Sequence, residues 1–319
     1  MAHELEVVGG KAMMAYTKSG GIPWHGLGTP VEDCVSPEQM LKIAGLDWTV
    51  EKIPTFYEHN GVRKETGKQA LIRNSDGRLL SVVSDDWEPI QNSDAFEFFT
   101  EFTEAGSMTM ETAGSIHNGE IVWALAKTGE DFVLNTGDRV EGYLHFTNFH
   151  RYGCSTDIRF TPVRVVCKNT LSQSLGTAVA NKMKYSHRNT FDPNVAKEAL
   201  KIASTKLLDY KEMAEFLAAT RVTDDAVKAY FMTVFPRGGD NDEGELSRSA
   251  KRALEVLNVQ PGAEYSPGTA WNAANAVTFL VDHVIGRNVN TRLGSAWYGN
   301  GSKLKQFAMD QAVEMAKAA

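Results

Sequence analysis

The chain has 319 residues, of which 42% are hydrophobic and 23% charged, enough to bury the core of one large domain or two. Three scattered cysteines, Cys34, Cys154 and Cys167, exclude a disulfide framework and a closed zinc site, and no apolar run approaches a membrane span. The net charge of −7 is unevenly laid: residues 1–138 hold 10 Lys and Arg against 22 Asp and Glu, residues 139–192 hold 8 against 3, and the rest balances.

Acids stand in the amino-terminal MAHELEVVGG where a signal peptide needs an apolar run, so a soluble chain with reduced thiols is expected. Residues 1–31 carry glycine and proline too densely for a helix or a long strand. The segment SPEQMLKIAG predicts a helix with Ser36 as N-cap, Pro37 in its first turn and Gly45 as its stop. Strands follow at Trp48–Tyr57, Gln69–Arg73 and Leu79–Ser84, with turns at Asn60-Gly61 and residues 74–77. Phe96, Phe99 and Phe102 recur at helical spacing behind a cap at Asn92 or Ser93.

A second block reads as strands at Ser107–Ile116, Ile121–Ala126, Val140–Phe149 and Ser155–Phe160, then a helix opened by Pro162 and closed by Gly176. From Pro193 the pattern is helical to the end. Strand runs that end in helices predict an α+β fold, an antiparallel sheet with helices on one face, followed by a helical carboxy-terminal region. The division expected is 1–191 for the sheet domain and 192–319 for the helices, either separate or packed as one unit.

The strongest chemical signal lies between Gly142 and Arg188. Arg151, Arg159, Arg164, Lys168, Lys182, Lys184 and Arg188 face one carboxylate, Asp157, and alternate with aromatic residues. Phosphates attract cations and unstacked bases stack on rings, so this composition suits single-stranded nucleic acid. Phe149, His150, Arg151 and Tyr152 are consecutive, and strand alternation does not bury all four. The plainer reading is that each ring is core and each cation is solvated.

A second candidate surface combines Trp24 and His25 of a glycine-rich loop with Trp297, Tyr298, Lys303 and Lys305, where Gly299-Asn300-Gly301 precedes a helix expected to begin at Ser302. It lacks a Walker motif, and a capped helix with an aromatic staple explains it more simply. Asp85, Asp86 and Glu88 form an acidic cluster of the kind a magnesium nuclease uses, although a solvated turn accounts for it as well. No catalytic signature, metal-ligand spacing or cofactor motif is present.

Three separated stretches carry a resemblance: MAHELEVVG with PWHGLGTPV, RFTPVRVVCKNTL, and GTAWNAANAVTFLVDH with SAWYGNGSKLKQFAMDQA. Together they resemble the phage/plasmid-like domain-of-unknown-function family, which implies mobile-element DNA metabolism in a host cytoplasm and supplies no catalytic residues. The strand-strand-strand-helix order of residues 48–105 is also similar to Rad52-like single-strand annealing proteins, an analogy of element order.

The function expected is therefore single-stranded DNA binding, with strand annealing by a homo-oligomer, without a cofactor and away from membranes. Two other readings stand beside it. One is a metal-dependent nuclease or phosphate-transferring enzyme. The other is an interaction protein whose acidic residues 1–138 mimic DNA toward a host partner.

Overall fold

The structure, a computed structural model, describes residues 5–20, 27–104, 107–164, 169–170, 182–185, 194–237, 245–286 and 292–319. The strand-rich portion contains β1 (Val7–Val8), β2 (Lys11–Ala12), β3 (Met14–Thr17), β4 (Thr29–Val31), α1 (Pro37–Ile43), β5 (Val50–His59), β6 (Val62–Arg73) and β7 (Arg78–Ser84). It continues through α2 (Asn92–Glu97), α3 (Thr100–Glu104), β8 (Thr109–Ile116), β9 (Ile121–Val133), β10 (Arg139–Phe149), β11 (Thr156–Arg164), β12 (Asn169–Thr170) and β13 (Lys182–Tyr185). Helices follow: α4 (Asn194–Ala219), α5 (Asp224–Val234), α6 (Arg248–Val256), α7 (Ala270–Phe279), α8 (Arg292–Tyr298) and α9 (Asn300–Lys317). The fold is α+β.

The largest sheet runs β12-β11-β10-β9-β8-β3-β4, with β13 also pairing to β11. β3 and β4 pair in parallel while β3–β8 and β8–β9 are antiparallel, so this sheet is mixed rather than purely antiparallel. A three-stranded sheet, β5-β6-β7, and a small β1-β2 pair stand apart from it.

The helix expected from Pro162 is corrected. Strand β11 runs on through Pro162 and Val163 to Arg164, and Asn169 and Thr170 turn back to pair with Arg164 and Val163. Valines on both sides of Arg164 favour extended backbone, and that preference overrides the helical start signal of Pro162. The remainder of that predicted helix lies outside the described residues.

The chain divides into two compact units, Met1–Gly129 with Leu144–Arg159 and Lys182–Lys201, and Glu130–Tyr143 with Phe160–Asn181 and Ile202–Ala319. In the first unit, Met40, Leu71, Val83, Phe96, Phe99 and Phe146 belong to one buried cluster. The α1 helix is fixed by a reciprocal capping box, Ser36 with Gln39, and ends where Gly45 takes a φ of 71°.

A buried ionic knot ties the root of β6 to the amino-terminal segment. Arg73 donates to Glu6 at 2.6 Å and forks onto Asp76 at 2.8 and 2.5 Å, while the Ser115 hydroxyl donates to the other Glu6 oxygen at 2.6 Å. The side chains of Arg73 and Glu6 are only 2% and 1% exposed, and the guanidinium lies 5.3 Å from the ring centre of Trp48. Every charged partner is answered, which is what burial of charge requires.

The second unit is built around α7. Residues 270–278 are all buried, and its alanines let neighbouring helices approach closely. Trp271 donates its indole N–H to buried Asp138 at 2.8 Å, and the Tyr230 hydroxyl donates to the Ala308 carbonyl at 3.0 Å. At Leu280–Val284 the helix widens into a π turn that carries Asp282, which accepts from Lys305 of α9 at 2.7 Å. Among the described residues, no helix is long and apolar enough to cross a membrane.

Candidate nucleic-acid interface

The loop between β10 and β11 holds four of the residues that the sequence singles out, and the structure separates them. β10 ends at Phe149, whose ring is buried, and the backbone turns through Gly153 at a φ of 77°. His150 is fully buried as well. Its ring packs on Trp48 at 5.3 Å, and its backbone N–H donates to the Glu120 carbonyl at 2.8 Å. Asn92 gives its amide N–H to Leu46, which leaves its oxygen as the acceptor for His150 Nε2 at 2.9 Å. The proton on that nitrogen is thereby assigned by the network. Beneath the loop, Asn148 donates to the Ile90 carbonyl at 2.8 Å and accepts from the Thr156 hydroxyl at 3.1 Å. Phe149 and His150 therefore form the floor of the loop, with no face turned to solvent.

Arg151 and Tyr152 are its outer part. The Arg151 guanidinium lies 5.7 Å from the Phe149 ring centre and donates through Nε to Cys154 Sγ at 3.2 Å. Tyr152 is 68% exposed, while its backbone N–H is anchored on Ser81 of β7 at 3.1 Å. An exposed ring on an anchored backbone stacks a planar ligand with little ordering cost.

The cations beyond the loop fall into two groups. Arg159 forks onto fully buried Asp157 at 2.5 and 3.2 Å, so drawing it away to a phosphate leaves a buried carboxylate uncompensated. In the register of β11 with β13, Lys184 stands opposite Asp157 and Lys182 opposite Arg159. Arg164 is placed by its backbone at the end of β11. Lys168 and Arg188 lie outside the described residues.

Of the second candidate surface, Trp297, Tyr298, Lys303 and Lys305 lie among the described residues. Trp24 and His25 lie outside the described residues. Trp297 and Tyr298 meet edge to face at 6.2 Å at the end of α8, and Trp297 packs against the helical core. Lys303 is exposed, whereas Lys305 is 2% exposed and bound to Asp282. Helix α9 begins at Asn300, two residues before the expected start. A side chain at Gly301 would sit 2.9 Å from the Ser295 carbonyl and 3.0 Å from Ala296 and Val281, so that glycine serves close helix packing.

The acidic cluster is tied to three different partners. Asp85 accepts from Gln69, Asp86 from Ser84, and Glu88 from Lys52. Among the described residues, no three His, Cys, Asp or Glu side chains are grouped to hold a metal ion.

What the sequence missed is the ribbon made by β5 and β6. The turn at Asn60 (φ 51°) and Gly61 (φ 74°) has the left-handed pair that a tight hairpin needs. From Phe56 to Lys68 every residue is exposed, on both faces. Midway, the register passes from Pro54↔Gln69 to Phe56↔Glu65, a bulge with Gly67 at a φ of 71°. One face carries Phe56 with Arg63 stacked on it at 3.9 Å, and the same face holds Glu58 and Glu65. Those two carboxylates make it a poor phosphate surface. The signal available in the sequence was the absence of a clean apolar alternation on either side of Asn60-Gly61.

No curated protein and no solved structure matches the chain. One family model does, over residues 79–314, which takes in the central and carboxy-terminal motifs but neither the opening motif nor the β5–β6 ribbon. That span is more than half of the chain, and the chain belongs to the family described as Domain of unknown function (DUF932).

Proposed function

We propose that this chain binds single-stranded DNA as a strand-annealing protein of mobile-element DNA metabolism, using the Arg151–Cys154 loop and the strands beside it. The observation that supports this reading most is the exposed ring of Tyr152, held by its backbone next to Arg151. The surrounding segment, residues 139–192, is the one stretch with a positive charge excess. In this reading Tyr152 stacks a base and Arg151 takes a phosphate, with Lys182 and Lys184 as further cations. Phe149 and His150 act from below by holding the loop in place.

A labelled thymidine oligonucleotide titrated at 50 and 200 mM salt tests it. With about five phosphates neutralised, affinity falls roughly 100-fold between those two concentrations. Tyr152→Ala weakens binding by about 1–3 kcal/mol, or roughly 5- to 150-fold. Absent binding, or binding indifferent to both salt and the ring, overturns the proposal.

A further inference from the structure

The three-stranded sheet has a buried face and an exposed one, and the exposed face is apolar. Leu71 and Val83 point into the core of the first unit. On the other side, the register sets Ile53, Ala70 and Val82 in one row across β5, β6 and β7, and Ile72 with Leu79 in the next. Tyr57 and Val62 continue the same face along the ribbon. Five of the large apolar side chains exposed among the described residues, Ile53, Tyr57, Val62, Leu79 and Val82, stand on this one face, each at least 41% exposed. A solvated antiparallel face is ordinarily polar, so a concentration of this kind marks an interaction surface. Four of the five, Ile53, Val62, Leu79 and Val82, are aliphatic and do not stack bases, which favours a protein as the occupant.

Lys64, opposite Tyr57, is the charge of this face out on the ribbon, and the two charges that flank the Ile53–Ala70–Val82 row identify which protein. Lys68 stands one row to one side of the Ile53–Ala70–Val82 row, opposite Ser84, and Glu51 stands one row to the other side, opposite Ile72. Both are exposed, and no ion pair among the described residues involves either of them. An apolar row flanked symmetrically by one acid and one base is complementary to itself. A two-fold axis through that row stacks it on its own copy and brings Glu51 of each chain to Lys68 of the other. Pairing along the β5 edge is disfavoured, because that strand is interrupted by Pro54 and carries Lys52.

We propose that this sheet face is the surface through which two copies of the chain associate, face to face, as an isologous dimer. The ribbon extends the contact, since Tyr57 and Val62 lie along the second copy on the same side. This surface is distinct from the Arg151–Cys154 loop, so the inference stands whether or not that loop binds DNA.

Sedimentation equilibrium of the full-length chain, over concentrations up to its solubility, tests the proposal. The expected result is a concentration-dependent dimer that Ile53→Asp abolishes while the circular dichroism stays unchanged. Glu51→Lys alone and Lys68→Glu alone each set like charges opposite one another and weaken the dimer. Mixed in equal amounts, those two variants restore it, because opposite charges face again at both ends. A wild-type chain that is monomeric throughout overturns the inference. So does a dimer that Ile53→Asp leaves intact, or one that the mixed variants fail to restore.

Discussion

Replacing Arg73 with Met isolates what the buried knot at the root of β6 contributes. Met keeps the length and most of the apolar packing against Trp48 but removes the guanidinium donors to Glu6 and Asp76, while the Arg78 backbone N–H still donates to Asp76. Asp76, 35% exposed, turns to water, whereas the Glu6 carboxylate, 1% exposed, is left with the Ser115 hydroxyl. Breaking a buried pair from one side costs about 3–5 kcal/mol, most of it the stranded charge. Hydrogen exchange by mass spectrometry reads this locally, through amides of β6 and β7 that open only when the first unit unfolds. Their protection falls by roughly 100-fold or more. The double variant Glu6→Gln with Arg73→Met removes both charges and regains much of the loss. Protection unchanged in Arg73→Met, or a double variant no more protected than the single, refutes the assignment of the cost to an uncompensated Glu6.

Three further outcomes follow from named contacts. Gly119→Ala places a Cβ 2.8 Å from the Arg73 guanidinium at a φ of 92°, so it destabilises the first unit by at least about 1–2 kcal/mol in urea unfolding. The hydrogen bonds from Arg73, then the one from the Arg78 backbone N–H and the charges of Arg73 and Arg78, outweigh burial and hold the Asp76 carboxyl down at about 2. A depressed carboxylate stabilises the fold above its unfolded pKa of about 3.9 and loses that effect as pH falls toward 2, so the melting-temperature gap between wild type and Asp76→Asn narrows across that window. Lys305→Met leaves Asp282 without its ammonium partner and lowers the stability of the helical unit by about 3–5 kcal/mol, while oligonucleotide affinity per folded molecule stays unchanged.

Local chemistry was legible in the sequence wherever a motif carries its own geometry. Ser36, Pro37 and Gly45 bound a helix that their side chains and backbone determine, and Asn60-Gly61 sets its own turn. The Phe96–Phe102 periodicity located the helical region, although it breaks into two short helices at Phe98-Phe99. Long-range partners were not legible. Nothing near Arg73 in the chain announces Glu6, 67 residues away, and Lys305 reads as a surface lysine until Asp282 meets it. The same limit acted on the loop. Strand alternation alone says that consecutive Phe149, His150, Arg151 and Tyr152 are not all buried, but not which of them turn inward; Trp48 and Asn92, brought from other elements, take the first two inside. The apolar sheet face escaped for a related reason, since exposed and buried alternation along β5 and β6 look alike until the core side is known.

Whether single-stranded DNA lies on the Arg151–Cys154 loop is read by hydrogen exchange of the full-length chain with and without a saturating thymidine oligonucleotide. Slowed exchange is expected at residues 150–155 and along β11 and β13, lost in Tyr152→Ala at the same oligonucleotide concentration. Protection confined to the ribbon or the carboxy-terminal helices, with the loop unchanged, contradicts it.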